Sequence, residues 1–324
     1  MSFARQRRVV VTGGAGFIGT HTVTRLVDLG DAVLVVDDMR HACGEPPPQE
    51  VEVSRTEISS QEAAEAIGAF RPDAILHLAA QGGVSRSVRD PAGDAQINVV
   101  GTVAMLKAAA DSGCRRFVFA SSGGAIYGRS RRLPSSEKSR PEPLSPYGAA
   151  KLAGEDYLGM FSRTFGLRTL ALRYSNVYGP FQDGTGEAGV VAITCDRLLA
   201  GRPPEIRGDG EQTRDFVFVE DVAMANIRAL AGTVQGSLNI GTGQATSVKT
   251  VVDRLVEVAG YRGPVNFVEG RPGEVRATAL DARRASQQLH WSPMVGLEEG
   301  LRRTFVSFQE RLPARHERAT TGPA

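Results

Sequence analysis

Tyr147-Gly148-Ala149-Ala150-Lys151 sets a phenol and an ammonium group four residues apart. On a helix that spacing puts both side chains on one face. A lysine cation beside a phenol favours the phenolate, which can take the proton of an alcohol. Ser121 and Ser122 end the apolar run that starts at Phe117. A serine at a strand's C-terminal end can hydrogen-bond a reacting oxygen, at the edge where parallel sheets present ligands. A second constellation lies near the start, in Val9-Val10-Val11-Thr12-Gly13-Gly14-Ala15-Gly16-Phe17-Ile18-Gly19. Gly13 permits a tight turn, Gly16 lets a pyrophosphate approach the backbone, and Gly19 lets helix and strand pack closely. The free N–H groups of the following helix favour phosphate. Asp37 follows the next apolar run, about 20 residues on, where a carboxylate accepts adenosine ribose hydroxyls and repels a 2′-phosphate. NAD is thus the expected cofactor, with Arg40 a solvated loop residue. The tyrosine would take a hydroxyl proton as hydride leaves the same carbon.

These residues need a scaffold of alternating strands and helices. Val9–Val11, Val33–Val36, Ala74–Leu78, Phe117–Ala120 and Thr169–Leu172 are short, apolar and bounded by turn residues, as buried parallel strands are. Phe17–Leu29, Asn98–Ser112 and Pro146–Phe165 carry apolar residues near helical spacing, the first stopping at Gly30. That alternation predicts an α/β, Rossmann-type doubly wound parallel sheet over residues 1–174. Beyond residue 175, glycine-rich loops interrupt helices such as Val190–Leu199 and Thr250–Ala259. A smaller α/β substrate-binding domain over 175–312 is expected, packed closely across a shared cleft. Ser237–Gly241 reads as a strand returning to the first sheet, and 313–324 as a disordered tail.

Composition excludes other classes. The chain has 324 residues with 38 Lys+Arg against 36 Asp+Glu, so it lacks the clustered basic excess of a nucleic-acid binder. Its 41% hydrophobic content supports a real core. Cys43, Cys114 and Cys195 fit neither a disulfide framework nor a zinc motif. His21, His41, His77, His290 and His316 show no ligand spacing, so no metal is expected, and His77 reads as a packed core residue. No apolar run approaches the ~18 residues of a membrane span. A soluble, cytoplasmic protein is the expectation.

The glycine loop, serine pair and Tyr-Lys pair together resemble the extended short-chain dehydrogenase/reductase superfamily, in its NAD-dependent epimerase/dehydratase branch. Further matching segments include His77-Leu78-Ala79-Ala80, Asn98-Val99-Val100-Gly101-Thr102, Ile126-Tyr127-Gly128, Arg173-Tyr174-Ser175-Asn176-Val177-Tyr178-Gly179-Pro180 and Arg271-Pro272-Gly273-Glu274. Within the branch the chain is most similar to UDP-glucose 4-epimerases. The resemblance implies NAD contacts from Phe17, Ile18, Glu57, Leu78, Ala79, Ala80, Asn98 and Tyr174 as well as the glycines, Asp37, Tyr147 and Lys151. It implies that Tyr147 is base and acid at the sugar 4-hydroxyl. Lys151 would hold the nicotinamide ribose and lower the tyrosine pKa. Ser122 or Ser121 would bind the 4-oxygen, the choice staying open because the serine-to-tyrosine segment is one residue longer than usual. Asn176, Gly189 and Val190 would hold the sugar diphosphate, Arg214 and Arg271 would pair with its phosphates, and Glu274 would accept the nucleotide ribose. Arg207 stands where an aromatic usually stacks on the base. Thr278 stands where a tyrosine usually excludes N-acetyl groups. A homodimer is implied through helices like Asn98–Ser112 and Pro146–Phe165, with Ala104, Leu106, Ala108, Ala109, Leu152, Ala153 and Leu158 as candidate contacts.

Three related chemistries fit less well. A 4,6-dehydratase needs an Asp-Glu pair where this chain has Gly124-Ala125-Ile126. A UDP-glucuronate epimerase usually has an arginine where Asp183 stands. A 4-ketoreductase would exchange NADPH, which Asp37 disfavours. A non-catalytic NAD-sensing protein would have no need of Tyr147 and Lys151.

Overall fold

The computed structural model describes residues 6–130, 132–184, 189–270 and 275–311. The first half runs β1 (Arg8–Thr12), α1 (Phe17–Asp28), β2 (Ala32–Val36), β3 (Glu52–Ser54), α2 (Gln61–Phe70), β4 (Ala74–His77), α3 (Val84–Arg89) and α4 (Pro91–Ala95). One π-helical turn, Gln96–Val100, then leads into α5 (Gly101–Asp111), β5 (Arg116–Ser122), α6 (Gly123–Ile126), α7 (Pro146–Phe165) and β6 (Arg168–Tyr174). The second half runs β7 (Asn176–Tyr178), α8 (Val190–Leu199), β8 (Glu205–Arg207), β9 (Thr213–Arg214), β10 (Phe216–Phe218) and α9 (Val219–Ala231). It closes with β11 (Gly236–Ile240), β12 (Thr246–Ser247), α10 (Val248–Val258), β13 (Asn266–Val268), α11 (Arg283–Leu289) and α12 (Leu297–Glu310).

The five expected strands of the first half become the buried centre of a seven-stranded sheet, in the order β11-β6-β5-β4-β1-β2-β3. Every pairing in it is parallel. Strand order reverses between β1 and β4, and a doubly wound sheet opens its ligand crevice at such a reversal. Val9 and Val11 face one apolar layer, and Val10 faces the other. That is the two-sided burial that a continuous valine run signals. The expected return strand is β11, paired in parallel with β6. β3 at the opposite edge has three residues and no apolar run, so the sequence did not mark it.

Capping explains where the helices that carry chemistry begin. Ser145 accepts from Gly148 N at 3.1 Å and Pro146 occupies the first turn, so α7 starts beside Tyr147. Gly166, at φ 69°, ends it. The helix expected from Asn98 starts instead with the π turn, and the one expected from Thr250 starts at Val248, capped by Ser247. A second apolar cluster joins α8, α10 and α12 to Tyr178, Phe216 and Phe218, and forms the core of the smaller lobe. α9 and β11 belong to the first sheet's layer instead. The tail from residue 312 lies outside the described residues.

Candidate active site

The glycine loop owes its shape to contact. A Cβ at Gly19 would stand 2.2 Å from the Gly13 carbonyl oxygen, and one at Gly13, where φ is +69°, would stand 2.6 Å from Ala79 N. Helix and turn therefore touch backbone to backbone. At Gly16 a Cβ would meet only the Gly13 oxygen, at 3.3 Å, so this backbone stays open to the cleft. Gly16 also N-caps α1, which has no side-chain cap and no acidic residue in its first turn. Nothing of the chain's own side chains competes there with a phosphate for the helix N-terminus. Asp37 is 9% exposed. Its Oδ2 accepts from Ala15 N at 3.0 Å and its Oδ1 from Met39 N at 2.8 Å, which ties the glycine loop to the end of β2. Arg40 is engaged by Asp38 and Glu57, at 2.6 and 2.9 Å. It is therefore not a free cation awaiting a 2′-phosphate. These features fit a dinucleotide without a 2′-phosphate.

One cavity of about 540 Å³ gathers Gly13, Gly16, Phe17, Ile18, Gly19, Asp37, Glu57, Leu78, Ala79, Ala80, Ser121, Tyr147, Lys151 and Tyr174. Asn98 does not line it. It is 1% exposed, and its amide brackets Gln81, accepting from Gln81 N and donating to Gln81 O, both at 3.0 Å. Asn98 thus shapes the wall from behind. Gln81 lines the cavity and was not singled out from the sequence, and Asp183, which the sequence set against a C6 carboxylate, lines it too.

At the sheet's edge the two serines divide. Ser121 is buried, and its hydroxyl donates to Glu155 Oε1 at 2.6 Å. Glu155 is itself held by Arg173 at 2.6 Å, which also donates to the Tyr127 hydroxyl at 2.8 Å. Ser122 acts on the Tyr147 phenol and favours its ionised form. Neighbouring strand residues point to opposite faces, so only one of the pair can reach the phenol. The Lys151 Nζ lies 5.7 Å from the Tyr147 ring centre and 4.8 Å from that of Phe119. Burial pushes the phenol up to about 12, partly offset by Ser122. Burial brings Lys151 down to about 8, against the opposing pull of Asp94. In the protein alone, burial, with the Asp94 charge added to it, outweighs Ser122 and holds the phenol up. His77 is buried between Thr12 Oγ1 at 2.7 Å and Thr102 Oγ1 at 3.1 Å, as the core residue it was expected to be.

The expected sugar-nucleotide contacts lie on the second lobe. Asn176 starts β7 and is exposed, its Oδ1 3.7 Å from where a Cβ on Gly124 would be. Gly189 N-caps α8 and Val190 opens it, again without a side-chain cap. Arg207 ends β8, Arg214 ends β9, and Thr278 N donates to Thr213 O at 3.1 Å. None of these lines the 540 Å³ cavity. Arg271 and Glu274 lie outside the described residues. Asp215, fully buried, accepts from Thr242 N, Gly243 N and Leu280 N at 2.8–3.0 Å and so pins the loops around this lobe.

A family model described as the NAD dependent epimerase/dehydratase family matches residues 9–241. The chain belongs to that family. It is 42% identical to a UDP-glucose 4-epimerase of Mycolicibacterium smegmatis over 94% of this chain and 99% of that one. A solved Thermotoga maritima UDP-glucose 4-epimerase with UDP-glucose superposes with a TM-score of 0.92 at 43% identity, covering 94% of this chain and 99% of that one. A Thermus thermophilus UDP-glucose 4-epimerase in complex with NAD gives 0.88 at 39%, covering 93% and 99%. The glycine loop and Asp37 suit the NAD dependence of that family. Cys43, Cys114 and Cys195 form no disulfide with one another, and burial pushes the Cys114 thiol up to about 11, which leaves it a poor nucleophile. No group of three or more metal-ligating side chains is found among the described residues, and no helix there is long and apolar enough to cross a membrane.

Proposed function

We propose that the protein is an NAD-dependent UDP-sugar 4-epimerase, an isomerase acting on UDP-glucose and UDP-galactose. The observation that carries this reading is Tyr147, its phenol acted on by Ser122 and its ring beside Lys151, in the cavity that the bare glycine loop also lines. The residues that would hold the dinucleotide are Gly13, Gly16, the Phe17 and Ile18 amides at the pyrophosphate, and Asp37 at the adenosine ribose. When bound, NAD supplies a hydride acceptor and donor together with a positive charge. Tyr147 takes the 4-hydroxyl proton and later gives one back, as base and then acid. Ser122 holds the 4-oxygen, while Lys151 holds a ribose and keeps a positive charge near the phenol. Asn176, the Gly189 and Val190 backbone, Arg207 and Arg214 would grip the nucleotide diphosphate, leaving the sugar free to present its other face to the same tyrosine. Arg271 and Glu274 would join them. Planar guanidinium groups suit this task because they match phosphate oxygens in pairs.

Residues 1–174 would form the cofactor unit and 175–312 the sugar-nucleotide unit, with α9 and β11 lent back to the first. A homodimer through α5 and α7 is supported by exposed Val100 and Tyr157 and by half-buried Ala104, Leu152 and Ala153. Leu106, Ala108, Ala109 and Leu158 are buried in the protomer's own core and would not contribute. Nucleotide-sugar analysis after incubation with UDP-glucose, UDP-galactose, their N-acetyl forms and UDP-glucuronate, with no added NAD, tests the reading. Interconversion of the neutral hexoses is expected. Turnover of UDP-glucuronate alone would overturn it.

A further inference from the structure

α4 is a short helix capped by Asp90 and packed against α7. Asp94 within it is 2% exposed. Its Oδ1 accepts from Gln81 Nε2 at 2.8 Å and from Asn98 Nδ2 at 2.9 Å. Its Oδ2 is buried with no hydrogen-bond partner. An unsatisfied buried carboxylate oxygen is costly, and a carboxamide could have served Gln81 equally well without the charge. The charge itself is the feature to explain.

The charged and titratable groups around it give the explanation. α7 carries Tyr147 and Lys151, and Asp94 is the one charged group that acts on both, raising the pKa of each. Burial raises the Asp94 carboxyl and Asp90 on the same turn adds to that, while the Gln81 and Asn98 hydrogen bonds and the Lys151 charge favour its ionised form. α3 also packs against α4 and brings Arg86 and Arg89. Burial brings Lys151 down toward the pH at which it would lose its proton, and a negative charge behind α7 works against that fall.

We propose that Asp94 is a positioning residue of this site, a buried anion behind α7 that keeps Lys151 a cation and braces the Gln81 wall of the cavity. The inference rests on the reading of Tyr147 and Lys151 as the proton-transfer pair. It differs from a packing role in one respect. Removing a negative charge lowers the proton affinity of both groups, so both limbs of a bell-shaped profile move the same way.

The test uses the full chain. Lysine occurs four times, at Lys107, Lys138, Lys151 and Lys249, so 13Cε-lysine labelling gives few resonances to resolve. In Asp94→Asn the Lys151 resonance should titrate at lower pH than in the native protein, with the other three unmoved. Both limbs of the kcat profile for UDP-galactose should move to lower pH together. A displacement of one pH unit is about a tenfold change in the charged-to-neutral ratio of Lys151. The reciprocal variant, Lys151→Met, should raise the midpoint of the Asp94 carboxyl, which covers the case of an unfolded Asp94→Asn. An unmoved Lys151 midpoint in Asp94→Asn, or an unmoved Asp94 midpoint in Lys151→Met, would overturn the proposal, even if activity fell. The resonance shifts are read without turnover, so an inactive native protein would count against the epimerase reading and leave the coupling measurable.

Discussion

Two adjacent serines of identical type do different things because a strand turns successive side chains to opposite faces. Ser121 is spent on Glu155, and Ser122 meets the Tyr147 phenol. The account therefore expects unequal effects. Ser122→Ala should lower kcat by roughly a factor of 10² or more, because the phenol and the 4-oxygen lose a shared partner. Ser121→Ala should spare most of kcat and instead cost about 2 kcal/mol in urea unfolding, the worth of one hydrogen bond to a charged acceptor. Equal kcat losses would contradict the division. Tyr147→Phe should abolish measurable epimerisation without a large change in Tm, since it keeps the ring and removes only the hydroxyl. Tyr147, Lys151 and the three glycines were legible from spacing alone. The serine assignment was not, because strand register decides it. Nor was the buried placement of Asn98, whose side chain is bonded to the Gln81 backbone.

At the scale of elements, the ends of β1, β4 and α5 are joined by one neutral imidazole. Burial and the Lys151 charge bring His77 down to about 3. Between pH 6.5 and 3 the unfolded chain binds a proton at this group that the folded protein refuses. Stability from His77 is thus fully present above pH 6.5 and is lost as pH falls through that window, by up to about 1.4 kcal/mol per pH unit. His77→Gln, which can still bond both threonines, should show a shallower loss of urea stability from pH 6.5 to 4 than the native protein. Identical slopes would show that the imidazole is not held neutral. On the second lobe, Asp215→Ala leaves three backbone donors unpaired in a fully buried place, and a loss of about 3 kcal/mol or more is expected in the same assay. Long buried strands and the Tyr-Lys helix were legible because their apolar runs and caps are strong local signals. Strands of two or three residues, β3, β7 to β10, β12 and β13, carry no period to read, and tertiary pairing alone creates them.

At the scale of the whole molecule, a near-zero net charge conceals an ordered one. Asp37 lies at one end of the cleft, Arg207 and Arg214 on the second lobe, and the buried Asp94 behind the reacting pair. The chain crosses between lobes after β6 and returns through α9 and β11, a path that only the return strand announced in the sequence. Thr278, whose hydroxyl is buried without a hydrogen-bond partner, stands where the family resemblance implies a bulkier tyrosine. UDP-N-acetylglucosamine should therefore be turned over, and Thr278→Tyr should suppress that activity while sparing UDP-galactose. A native enzyme inert toward the N-acetyl sugar but active on UDP-glucose would remove this point.

The account's central claim is that hydrogen leaves the sugar C4 and comes back to it inside one closed site. UDP-galactose carrying deuterium at C4, incubated in ordinary water without added NAD, tests it most directly. The account predicts UDP-glucose that keeps the deuterium at C4. Product with that position filled from solvent would contradict it.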